Sequence, residues 1–65
     1  MQPHEQRAVQ ERDELLTKLR KLSDFLETQT YRDLAYEDRN LLNIQHAAMR
    51  AYVEVLNARI YRFPT

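Results

Sequence analysis

The stretch ELLTKLRKLSDFL, residues 14–26, sets Leu15, Leu19, Leu22 and Leu26 at steps of four, three and four. That alternation is the signature of a helix with one apolar seam, because residues three and four apart share a helix face. Upstream, Ala8 and Arg12 continue the same stripe, with Arg12 its one polar intruder. Val9, Leu16 and Phe25 flank the stripe and widen it. Pro3 suits a first helical turn, where its missing N–H is not needed. Glu14 and Lys18 form a favourable pair four residues apart, with the acid on the N-terminal side. A helix is predicted over residues 3–27.

A break follows over residues 28–34. Thr28, Thr30 and Asp33 are capping types, and the β-branched residues around Gln29 lower helix propensity. The chain contains no Gly, so it must turn with ordinary backbone angles, using a loop with one short helical turn. Tyr31 and Leu34 are expected to fold back over the end of the hairpin. A second helix is predicted over residues 35–61. Leu42, Met49, Leu56 and Phe63 recur every seven residues, as do Leu41, Ala48 and Val55 beside them, with Val53 and Ile60 on the far flank. Gln45, Tyr52 and Arg59, also seven apart, set three polar-tipped side chains within this apolar surface. Pro64 follows where a helix cannot continue.

The short break makes the two helices antiparallel neighbours. The fold class is therefore all-α: an antiparallel two-helix hairpin forming a single domain over residues 1–65. One seam cannot cover the apolar surface that the second helix offers. A 65-residue chain also seldom builds a self-sufficient core, and usually needs a disulfide, a metal or self-association. There is no Cys. His4 and His46 are the only His residues and lie on different segments, so no metal site is expected. Homo-oligomerisation remains, from a dimer forming a four-helix bundle to a hexamer.

Ten basic and ten acidic residues cancel, which argues against general DNA or RNA binding, a property that depends on excess positive charge. No apolar run is long enough to cross a bilayer, and the N-terminus lacks the order of a signal peptide. A cytoplasmic location is expected. Catalysis is not: adjacent acids such as Glu37 and Asp38 diverge on a helix, Ser23 is expected on an outer face, and a Gly-rich phosphate loop cannot exist without Gly. No cofactor is expected.

Three groups of residues carry binding chemistry. Gln45, Tyr52 and Arg59 offer an amide for a base edge, a ring for stacking and a guanidinium for a phosphate; alternatively, they hydrogen-bond across an oligomer seam and fix its register. At the chain ends, Arg59 and Arg62 lie near Tyr61 and Phe63, and the hairpin brings this end beside His4 and Arg7. That set is either a locally basic pocket or solvated terminal charge. At the turn, Tyr31 with Arg39, Asn40, Asn43 and His46 downstream forms either an anion-favouring pocket at a helix start or plain capping.

Residues 3–9 (PHEQRAV), 21–26 (KLSDFL), 41–45 (LLNIQ) and 49–52 (MRAY), with Arg59 and Ile60, resemble a group of small, uncharacterised tailed-phage and prophage proteins. That resemblance implies a phage accessory protein made in an infected bacterial host. From Tyr31-Arg32-Asp33-Leu34 through Glu37, Leu41-Leu42-Asn43 and Leu56-Asn57-Ala58-Arg59-Ile60, the chain is similar to the helical-hairpin domain of phage anti-CBASS and anti-Thoeris sponges. Those are symmetric oligomers that sequester cyclic nucleotide immune signals. The resemblance implies a cyclic dinucleotide held by Tyr31 and His46, and Arg59 in a second pocket for a cyclic trinucleotide. The expected activity is sequestration of such signals without cleavage. The alternative is a protein–protein interaction module that inhibits a host defence or regulatory complex.

Overall fold

The structure is a computed structural model, and it describes residues 1–64. Two long helices, α1 (Pro3–Phe25) and α3 (Tyr36–Tyr61), pack antiparallel on either side of one short turn of helix, α2 (Gln29–Arg32). The result is a rod of 47 × 15 × 14 Å. This is the expected all-α hairpin. The first helix ends at Phe25, two residues before the predicted limit, and the second begins one residue later than predicted.

Capping explains where the elements stop. Pro3 opens α1, and Glu5 reaches back to accept the Gln2 backbone N–H at 2.7 Å. At the turn, the Thr28 hydroxyl donates to the Phe25 carbonyl at 2.6 Å and accepts the Tyr31 N–H at 3.2 Å. One side chain thus closes α1 and starts α2. Arg32 donates from its guanidinium to the Glu27 carbonyl at 3.2 Å, which satisfies another helix-end acceptor. No described residue has a positive φ, so the reversal is made without Gly. Glu37 and Asp38 lie in the first turn of α3, where negative charge favours the helix dipole.

The α1 seam is the predicted one. Ala8, Arg12, Leu15, Leu19, Leu22 and Leu26 are all buried or half-buried, and the stripe extends upstream to Glu5. On α3 the inward line is Arg39, Leu42, His46, Met49, Val53, Leu56, Ile60 and Phe63. The repeat containing Leu42 therefore interleaves with the one containing Val53 to make a single seam. The repeat of Leu41, Ala48 and Val55 stays outside it. Among the described residues, only Ala8, Val53, Leu56 and Glu5 are buried, because two rods in contact hide little more than one line of side chains each.

Polar bridges pin the register. Arg12 donates to Asn57 Oδ1 at 2.9 Å, and Ser23 Oγ and His46 Nε2 are hydrogen-bonded at 2.8 Å. An advance of eleven residues along α1 (12 to 23) matches a retreat of eleven along α3 (57 to 46), so both bridges obey one antiparallel register. The position of Ser23 corrects the expectation that it lies on an outer face: it is half-buried beside the seam. The Leu pattern of α1 places position 23 next to Leu22 and Leu26, and α3 closes over it. Among the described residues, Glu14 is bonded to Gln10, at 3.1 Å, rather than to Lys18, and the one ion pair is Arg12 with Asp13.

Candidate functional site

The closed end of the hairpin gathers the most polar chemistry. Tyr31, half-buried on α2, sets its ring edge-on to Phe25 with centroids 6.2 Å apart. Its hydroxyl accepts from Asn43 Nδ2 at 2.7 Å. Arg39, Asn43 and His46 are spaced by four and three on α3, so they share one face. Asn43, bonded to Tyr31, thus lies one helical turn before His46 on α3. His46 is held by Ser23 from α1. Arg39 is half-buried, and its Nε is buried without a hydrogen-bond partner among the described residues. An unpaired buried guanidinium N–H is costly unless something accepts from it. The end thus combines two aromatic rings, an amide, an imidazole and a cation with spare donor capacity.

The stripe of Gln45, Tyr52 and Arg59 runs along the exposed side of α3. The Tyr52 hydroxyl donates to the Glu11 carboxylate of α1 in a very short hydrogen bond. That bond holds the phenol above its ordinary pKa; desolvation and the Glu11 charge push the same way, while Arg59 opposes them. Tyr52, Glu11 and Arg59 therefore form one electrostatic group. Gln45 is separate, its amide donating to Met49 Sδ at 3.9 Å. Glu11 escaped the sequence reading because its role depends on the register between the helices, which no single-helix pattern reveals. The same holds for Asn57.

At the open end, His4 meets Phe63 edge-on with centroids 6.0 Å apart. A cavity of about 420 Å³ lies beside them, lined by Met1, Glu5, Ile60, Tyr61, Phe63 and Pro64. The lining is mostly apolar with a single carboxylate. Arg7, Arg59 and Arg62 are exposed and stand outside that lining. The ends do meet as expected, but the cavity there is greasy rather than basic. Glu5 itself gave a signal in the sequence, since an acid three residues after a helix start is a capping residue.

Among the described residues, no group of three or more His, Cys, Asp or Glu side chains is placed to hold a metal. No described helix is long and apolar enough to cross a membrane. The Ser23–His46 pair resembles half of a nucleophile–base arrangement, but His46 has no acid or carbonyl bonded to its other ring nitrogen among the described residues. A working triad needs that third, orienting group.

These features define an all-α helical-hairpin protein whose chemistry lies on its surface and at its two ends. The chain belongs to the Sequestin family, which it matches over residues 2–62. It is also similar to the uncharacterized 7.5 kDa protein in the denB-rIIB intergenic region of Enterobacteria phage T4, with 33% identity over 63 residues, 97% of this chain and 98% of that protein. That relationship agrees with the expected phage origin. No solved structure matches the chain.

Proposed function

We propose that this protein is a phage anti-defence sponge that binds cyclic nucleotide immune signals and withholds them without cleaving them. The observation that carries the reading is the closed-end cluster: Tyr31 held by Asn43, His46 one turn on, and Arg39 with a buried donor left over. A cyclic oligonucleotide presents flat bases and negative phosphodiesters. A phenol ring stacks on the first, and a guanidinium with an imidazole answers the second. Membership of the Sequestin family supports the same direction, since the family's name denotes sequestration while naming no target. Arg59, beside Tyr52, is the candidate for a second pocket. The protein acts in the cytoplasm of the infected host.

The test is a thermal-shift panel of cyclic di- and trinucleotides against the full chain. A ligand at about 100 times its dissociation constant adds about 2.7 kcal/mol of stability. For a domain this small, that raises the melting midpoint by roughly 10 °C or more. Arg39→Gln and Tyr31→Ala should abolish the shift while leaving the helical signal. The absence of a shift with any member of the panel at high concentration would eliminate the reading. The alternative, an inhibitor of a host defence or regulatory complex, draws on the exposed apolar residues of α3. It predicts a stoichiometric host protein in a pulldown, which a sponge does not retain.

A further inference from the structure

Along the outer side of α3 runs a second heptad line that the hairpin leaves uncovered: Glu37, Leu41, Ile44, Ala48, Ala51, Val55, Ala58 and Arg62, at alternating steps of four and three. Leu41 is 63% exposed, Ile44 56% and Val55 53%. The line spans about 26 Å from Leu41 to Ala58 at 1.5 Å per residue. Its order is nearly palindromic. Reversed end to end about its midpoint, Glu37 falls on Arg62, Leu41 on Ala58, Ile44 on Val55 and Ala48 on Ala51.

We propose that this line is the dimer seam of the protein, and that a second copy of the chain docks on it with α3 against α3 in antiparallel, two-fold fashion. In that arrangement each large residue meets a smaller one, as interdigitating layers require. Glu37 of each copy meets Arg62 of the other at both ends, and Asp38 meets Arg59 on the flank. A parallel arrangement would set Glu37 against Glu37 and Arg62 against Arg62, so the charges select one direction. The small residues in the middle allow close approach of the helices. A shallow hollow of about 200 Å³ lined by Ala47, Arg50, Ala51 and Glu54 flanks the line and shares Ala51 with it.

The exposed area agrees. The described residues expose 5196 Å², whereas a compact monomer of 7.9 kDa exposes about 4,400 Å². The excess is close to the roughly 800 Å² that each partner buries in an ordinary stable interface. Because this line lies nearly opposite the face that packs on α1, the dimer sets four helices side by side in the order α1, α3, α3, α1, and it does not depend on whether a nucleotide binds.

Two measurements on the full chain test this. Sedimentation equilibrium of the unaltered protein should give twice the 7.9 kDa chain mass. Ile44→Glu places a carboxylate in both halves of the seam and should weaken the dimer by about 100-fold or more, with its helical circular dichroism retained. Because the chain has no Cys, cross-linking then reads the register directly. A mixture of Ile44→Cys and Val55→Cys chains should form a covalent dimer under mild oxidation, while neither variant alone should. A monomeric parent protein, a dimer untouched by Ile44→Glu, or cross-linking by either single variant alone would overturn the proposal. So would a mixture that fails to cross-link.

Discussion

Replacing Leu56 by Ala probes the hairpin seam where it is tightest. Leu56 is 0% exposed, and it sits between Val53 and Ile60 on the inward line of α3, facing α1. The substitution removes three carbons, and at about 0.8 kcal/mol per buried methylene this loses about 2.4 kcal/mol. A further cavity contribution follows because the flanking side chains relax only partly, while two rods can close up more easily than a deep core. The expected cost is therefore about 2.5–3.5 kcal/mol, in the lower half of the range for buried Leu. Leu16 is the matched control: the same residue type, 38% exposed on α1, and away from the outer line of α3. Leu16→Ala should cost about 1 kcal/mol or less. Urea denaturation followed by far-ultraviolet circular dichroism, at one protein concentration for all variants, measures both. A Leu56→Ala cost near that of Leu16→Ala would refute the assignment of the seam.

Other consequences follow from the polar bridges. Tyr52 should ionise above the ordinary tyrosine value of about 10, because its hydroxyl donates a hydrogen bond to the Glu11 carboxylate. The stabilisation from that bond is fully present below the unfolded-state pKa and is lost as pH rises through the raised folded-state value. Ultraviolet titration of Glu11→Gln should show one tyrosine moving to lower pH, and an unchanged curve would contradict the bridge. Arg12→Leu continues the leucine line in place of a charge and should stabilise the hairpin by about 1 kcal/mol; a clear loss in midpoint would show that the Arg12–Asn57 bond outweighs packing. Ser23→Ala leaves the half-buried His46 without its partner and should cost about 1 kcal/mol, whereas a neutral result would place His46 in contact with water instead.

How much of this was legible in the sequence depended on whether the signal lay within one helix. The leucine line of α1 and the seven-residue repeats of α3 were plain, because periodicity is a property of a single segment. Choosing between the two α3 repeats was not possible from periodicity. Both the Leu42 and the Leu41 lines are apolar, and only docking against α1 decides that Leu42, Val53 and Leu56 go inward. Thr28 was recognisable as a capping type, but its double use between Phe25 and Tyr31 was not. Tyr31 and His46 are site candidates through resemblance alone, and their partners, Asn43 and Ser23, come from the fold. Ser23 was misplaced because its hydroxyl looked like an outer-face group until His46 arrived from the opposite helix. Glu11 and Asn57 find their partners only across the seam, so no local pattern marks them. Sequence left the chain ends open between a basic pocket and solvated charge, because only the packing of Met1, Ile60, Phe63 and Pro64 decides which side chains line the cavity there, and Arg7, Arg59 and Arg62 stay exposed outside it.

The most direct test of the sequestration account is capture followed by release. The protein is saturated with a cyclic dinucleotide or trinucleotide, freed of unbound ligand by rapid filtration and heated to unfold it, and the released nucleotide is identified by chromatography. Stoichiometric retention with recovery of the intact cyclic molecule is the predicted result. Failure to retain any of these nucleotides, or release of an opened, linear product, would contradict the account.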